Sequence, residues 1–186
     1  MKIRSLRNLA LAAVVSVGLA AAKAPVNVQY TDSELAAKVA HEVRMYSRYS
    51  IWDNISVRVH NGNVDLLGQV SQPYKKADLQ RIVDQLPGVH TVSNGLQVLP
   101  LSPNDDRLRI QVARAIYRDS VLSRYALQAV PPIHVIVDNG RVTLEGVVNT
   151  EMEKNVAGIR ASGAGLSFGQ VVNNLRVEIP SKGGRS

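Results

Sequence analysis

The chain has 186 residues, 45% hydrophobic and 20% charged, with a formal net charge of +7. That length holds one ordinary domain or two small ones, and the balance is globular, which excludes a disordered or collagen-like chain. Cysteine is absent, which excludes a disulfide framework, thiolate metal sites, a Cys nucleophile and a lipid anchor on an N-terminal cysteine, and aromatics at 4% argue against a base-stacking surface for single-stranded nucleic acid.

Lys2, Arg4 and Arg7 form a positive segment ahead of an apolar stretch, Leu9 to Ala22, that ends in Ala20-Ala21-Ala22. This is the pattern of a cleavable export signal over residues 1–22, with the mature chain starting at Lys23 and a periplasmic location expected. The stretch falls short of the ~20 apolar residues a membrane span needs, and no comparable run follows, which excludes a polytopic membrane protein. Removing residues 1–22 takes three positive charges and leaves 164 residues with a net charge of +4. Much of the basic character therefore belongs to the signal, and nucleic acid is not an expected partner.

The remainder is one unit written twice. The first copy opens at Thr31-Asp32-Ser33-Glu34, a capping box. Leu35, Val39 and Val43 follow at a spacing of four, the stripe of an amphipathic helix. Ile55, Val57 and Val59 alternate with polar residues, a half-buried strand. Asn61-Gly62 is a type I′ hairpin turn, and Val64 and Leu66 start the return strand. A second helix opens near Ser71, and a last strand carries Leu96 and Val98. After the stiff linker Pro100-Leu101-Ser102-Pro103 the order recurs. Leu108, Val112 and Ile116 repeat the first stripe 73 positions on. Asn139-Gly140 repeats the hairpin 78 positions on, within a shared pattern N-G-x-V-x-L-x-G-x-V, and Thr150 to Glu153 forms another capping box. The second copy has five extra residues near Ala126 to Pro132, where Pro131-Pro132 marks a loop. Gly158, Gly163 and Gly165 interrupt its second helix at about 1 kcal/mol each relative to alanine, so a short or frayed helix is expected there. Each copy reads helix, strand, strand, helix, strand, with two helices over one face of a three-stranded sheet. The fold class is α+β, as two tandem αββαβ sandwiches over residues 32–99 and 105–180.

The doubled hairpin, the following helix, and then Gly88-Val89-His90-Thr91-Val92-Ser93-Asn94-Gly95-Leu96-Gln97-Val98 closely resemble the BON domain. The ending N-x-L-x-V occurs again at Asn173, Leu175 and Val177. Two such units behind a signal are similar to the OsmY-type periplasmic proteins. The second copy departs from the pattern at its glycines and at Phe168-Gly169. The resemblance implies a non-enzymatic role at the cell envelope, in maintenance or stress response, with phospholipid as the usual proposed ligand.

The residues offer little chemistry of another kind. His41, His60, His90 and His134 show no metal-ligand spacing. No nucleophile elbow, P-loop or dinucleotide fingerprint is present, and no pair of carboxylates stands out for acid–base work. No cofactor and no metal are expected. Glycines 68 and 146 fall where a strand ends before a helix, which reads as close backbone approach. The most unusual feature is the first helix of the second copy, where Arg107, Arg109, Arg114, Arg118 and Arg124 face only Asp105, Asp106 and Asp119. Arg107, Arg114 and Arg118 share one helical stripe, and Tyr117 and Tyr125 add rings suited to the headgroup level. The expected lipid-binding residues are Arg107, Arg114, Arg118, Arg124 and Tyr125, and the expected partner is an anionic phospholipid membrane surface. The alternative is a protein–protein adaptor for an envelope or secretion partner. Tyr46, Tyr49 and Trp52, with Arg44 and Arg48, form a similar cluster in the first copy, read mainly as a core edge.

Overall fold

The structure, a computed structural model, describes residues 30–164 and 171–178. The expected signal over residues 1–22 lies outside the described residues, as do Gly165, Phe168 and Gly169.

In the first copy, α1 (Asp32–Met45) is opened by its capping box. The Thr31 hydroxyl accepts from the Glu34 amide at 3.3 Å, and the Glu34 carboxylate accepts from the Thr31 amide at 2.9 Å. Leu35, Val39 and Val43 are all buried, as their spacing requires. β1 (Asn54–His60) pairs antiparallel with β2 (Asn63–Val70) across the turn at Asn61-Gly62. α2 (Pro73–Asp84) then crosses over, and β3 (Thr91–Val98) pairs parallel with β2. α2 starts two residues after Ser71, with Gln72 as its cap, because Ser71 is engaged elsewhere. The core joins the α1 stripe to Val64, Leu66 and Val70 of β2, Leu79 and Val83 of α2, and Leu96 of β3.

The second copy repeats the scheme. α3 (Pro103–Tyr117) starts on proline behind Ser102, whose hydroxyl accepts from the Asp105 amide. A single 3-10 segment (Ser123–Leu127) leads into β4 (Ile133–Asp138), which pairs antiparallel with β5 (Arg141–Val148). After α4 (Glu151–Ser162), the third strand position is filled by two short pieces, β6 (Val171–Asn173) and β7 (Arg176–Val177), both parallel to β5. The expectation of a short or frayed α4 is corrected: it has 12 residues, as α2 has. Its capping box is complete, and Gly163 ends the helix instead of interrupting it. Gly158 is mid-helix, where a Cβ would come within 2.9 Å of the Asn173 side-chain nitrogen. The missing side chain is what lets β6 approach α4.

Three devices recur in both copies. Asp32 in the first turn of α1 accepts from the amides of Asn61 and Gly62 at 2.8 and 3.1 Å. Asp105 in α3 does the same for Asn139 and Gly140 at 3.0 and 2.9 Å. Each hairpin needs positive φ at its asparagine, 50° at Asn61 and 49° at Asn139, and the carboxylate satisfies the amides which that turn exposes. These two bonds, that from Asn61 above all, hold the Asp32 carboxyl below its ordinary range. Secondly, Asn94 donates to the Lys76 carbonyl at 2.8 Å and accepts from the Leu96 amide at 3.2 Å. Asn173 repeats this with Lys154 and Leu175 at 2.7 and 3.2 Å. The asparagine of N-x-L-x-V thus ties the second helix to the last strand. Thirdly, a Cβ on Gly68 would run into the carbonyl oxygen of Asn54 at the start of β1, and one on Gly146 into that of Pro132, just ahead of β4.

Below these shared devices the copies diverge. In the first, Lys75 is 5% exposed and pairs with fully buried Asp53 at 2.6 Å, while Ser50 and Ser71 complete the network. In the second, the same helix position carries Glu153, 3% exposed, which accepts from the Tyr125 hydroxyl at 2.9 Å and pairs with Arg124.

The domains meet at the loop between α1 and β1. Ile51 and Trp52 of the first domain pack against the hydrophobic core of the second. The Ile51 carbonyl accepts from the Val135 amide at 2.7 Å, so the loop extends the edge of β4. His134 Nδ1 lies 2.6 Å from the Asp53 carbonyl oxygen, and its ring stands 5.5 Å from that of Tyr49. His134 and Ile136 are buried although they point away from the core of their own domain.

Candidate functional site

α3 presents two unlike faces. Leu108, Val112 and Ile116 line the buried side, Val112 and Ile116 completely. Asp105 turns inward to the hairpin, as described above. Arg109 also turns inward: it pairs with Asp106, and its Nη2 donates to the Val137 carbonyl at 2.8 Å. It therefore caps the β4 edge and is not part of the outer charge.

The outer face carries Arg107, Arg114 and Arg118, all exposed, and none forms an ion pair among the described residues. Ile110, 44% exposed, stands between Arg107 and Arg114, one helical turn from each. The signal for it was in the sequence, since it is i+3 from Arg107 and i−4 from Arg114. At its C-terminal end the stripe opens on a groove of about 650 Å³ between α3 and α4. Arg118, Asp119, Ile159 and Arg160 line that groove. Arg160 Nε donates to Asp119 at 2.6 Å. The Val121 amide and then this guanidinium hold the Asp119 carboxyl below its ordinary range. Ile159 is 68% exposed. Nothing in the sequence brings Ile159 and Arg160 to Arg118, because that neighbourhood depends on how α4 packs on α3.

Two of the expected site residues stand elsewhere. Tyr125 is 4% exposed, with its hydroxyl bound to Glu153 and to the Asn149 amide at 3.0 Å, so it is a buried anchor of α4 and not a headgroup-level ring. Arg124 keeps an exposed side chain, but it is paired with Glu153 and lies over the Tyr125 ring at 5.2 Å, so it is not a free cation. Tyr117 likewise turns inward and donates to the Ile133 carbonyl. Adjacency in sequence to an exposed arginine put these rings on the surface; the pull of buried Glu153 and of β4 put them inside.

The first-copy cluster is dispersed. The Tyr46 hydroxyl donates to Asp78 at 2.7 Å, Arg48 lies over the Tyr74 ring, and Tyr49 and Trp52 serve the domain junction. The outer stripe also has no counterpart there. The positions 73 residues before Arg107, Arg114 and Arg118 are Glu34, His41 and Met45.

The family model for the BON domain matches residues 31–100 and again 104–179. The chain belongs to the BON domain family. Its two BON domains are the two units described above, in tandem. No curated protein matches the chain. Among solved structures it is similar to the C-terminal domain of CdsD, a structural protein of the type III secretion system of Chlamydia trachomatis. That match has 14% identity and a TM-score of 0.28 and covers 81% of this chain and 100% of that one. A second CdsD structure matches at 17% identity and a TM-score of 0.29, covering 80% and 93%. Among the described residues no helix is long and apolar enough to cross a membrane, and no three metal-ligating side chains converge.

Proposed function

We propose that this chain is a non-catalytic protein of the cell envelope whose second BON domain binds anionic phospholipid surfaces weakly and peripherally. The observation that carries the reading is the outer face of α3, where three arginines without ion-pair partners among the described residues share one stripe and two of them flank an exposed isoleucine. Guanidinium forks suit phosphate because they make two parallel hydrogen bonds. Each such cation near an anionic surface contributes about 1 kcal/mol, so three give roughly 3 kcal/mol, short of the ~4 kcal/mol that corresponds to a millimolar constant. Burial of Ile110 and Ile159 in the interface supplies the rest. The reading places the protein in the periplasm, as the N-terminal export pattern and family membership support.

Sedimentation with liposomes tests it. Vesicles containing phosphatidylglycerol should carry the protein down and neutral phosphatidylcholine vesicles should not. Equal recovery with both, or with neither, removes the lipid reading and leaves the protein–protein adaptor in its place.

A further inference from the structure

We propose that the cleft between the two BON domains is a binding site for the phosphate group of a small phosphorylated polyol, separate from the α3 face. The cleft has a volume of about 460 Å³, and both domains wall it. Arg44, near the end of α1, and Asn54 and Ser56 of β1 come from the first domain. His134 of β4, Glu145 of β5 and Arg176 of β7 come from the second.

Charge favours an anion. Arg44 and Arg176 are exposed to the cleft, and neither forms an ion pair among the described residues. Glu145 is the single carboxylate on the wall, and one of its oxygens already accepts from the Asn174 side chain at 2.8 Å. His134 hydrogen-bonds the Asp53 carbonyl, and burial holds its imidazole below the ordinary value, so it adds no positive charge near neutrality. The wall therefore carries two positive charges against one negative.

The placement of the donors narrows the ligand. The two guanidinium groups arrive from different domains. A carboxylate offers its lone pairs in one plane and to one side, whereas a phosphate offers oxygens in tetrahedral directions and satisfies donors from both walls. The Asn54 side-chain amide is a neutral donor beside them, while the Ser56 hydroxyl already donates to the Leu67 carbonyl at 3.4 Å and keeps lone pairs for a ligand hydroxyl. Glu145 can only accept, so it repels a bare anion and suits a ligand whose hydroxyl groups reach it. An ester such as glycerol phosphate has both features. Because the ligand touches both domains, its binding stabilises their docking by mass action.

Calorimetric titration of the full chain with glycerol 3-phosphate and with inorganic phosphate tests the site. Saturable binding of glycerol 3-phosphate is expected, tighter than that of inorganic phosphate. Arg44→Gln and Arg176→Gln should each weaken it at least tenfold, and Arg81→Gln, an exposed charge on α2, should leave it unchanged. Since Arg44 and Arg176 are exposed and form no ion pair among the described residues, the thermal midpoint of each variant should match that of the parent. The same phosphate chemistry could be presented by a lipid headgroup. If soluble esters do not bind but Arg44→Gln and Arg176→Gln both lose anionic vesicles, the cleft takes its phosphate from the membrane. Parent protein that binds neither source, or variants that bind as the parent does, overturns the proposal. The α3 reading stands or falls separately, on variants of Arg114 and Arg118.

Discussion

Lys75 and Glu153 occupy the same position in the two BON domains, the third residue of the second helix, and carry opposite charges in nearly complete burial. Each is compensated by residues that its counterpart lacks: Asp53 for the lysine, and Tyr125 with Arg124 for the glutamate. The domains share a backbone plan, but their polar interiors are not interchangeable.

Removing one partner of such a pair should be costly. Lys75→Met leaves Asp53 buried without its cation, and breaking a buried pair in this way costs about 3–5 kcal/mol. Replacing Lys75 and Asp53 together by apolar residues should cost clearly less than the sum of the single changes. Urea denaturation of the singles and the double measures the coupling; simple additivity would mean that the pair does not interact.

A second expectation separates two glycines of one domain. At Gly140 a Cβ meets nothing within 4 Å, so Gly140→Ala should cost only the left-handed backbone penalty, about 1–2 kcal/mol. At Gly146 the Cβ would strike the Pro132 carbonyl oxygen, and the pairing of β4 with β5 must open. Gly146→Ala should be the more destabilising of the two by thermal melting, and a ranking in the other order would contradict the close approach.

The domain junction should be sensitive to acid. Burial lowers the His134 pKa in the folded state, so the unfolded chain takes up its proton first as pH falls. The resulting stability is complete above the unfolded value of about 6.5 and is lost as pH drops through the lower folded value, with a slope of at most ~1.4 kcal/mol per pH unit. Asp53, Glu145 and Tyr49 face the ring. Burial pushes the Tyr49 hydroxyl up to about 12, so it does not titrate in this window. His134→Asn should flatten the pH dependence between 6.5 and the range where carboxylates titrate. Fluorescence of Trp52, the one tryptophan, follows the unfolding. An equal slope in parent and variant would assign the acid sensitivity elsewhere.

Membrane binding should follow the α3 stripe. Arg114→Glu with Arg118→Glu should abolish sedimentation with anionic vesicles, while the fold survives because exposed changes usually stay within about 0.5 kcal/mol. Ile110→Ser should weaken it without altering its salt dependence. Parent binding should fall steeply once added salt shortens the Debye length below about 8 Å. A double reversal that still binds as the parent does would exclude this helix.

The fold was largely legible because its signals are local. Helix caps at Thr31, Ser102 and Thr150, asparagine–glycine turns and alternation of apolar residues each act within a few residues, and the structure follows them. Of the candidate site, only what one helix decides could be read ahead, namely the shared exposed face of Arg107, Arg114 and Arg118. Tyr125 was misplaced because its hydroxyl partner, Glu153, is 28 residues away and on another element. The α4 glycines were misread for the same reason: propensity prices Gly158 against alanine, but the Asn173 side chain occupies the space a methyl group would need. Ile159 and Arg160 join the stripe only through packing of α4 on α3.

The docking of Ile51 and Trp52 into the second core bears on the order of events during synthesis. A chain emerges from the ribosome, or from a translocation channel, N-terminus first, and domains generally fold as units in that order. The first BON domain can therefore mature with its α1–β1 loop already braced by the Asp53–Lys75 network, before β4 exists as a strand. In the folded chain the outer edge of β4 is met by that loop, through the Val135 amide and the Ile51 carbonyl. The duplication is thereby asymmetric: the trailing domain completes its core with side chains of the leading one, so a chain cut at the linker should leave the second domain less stable than it is in the full chain.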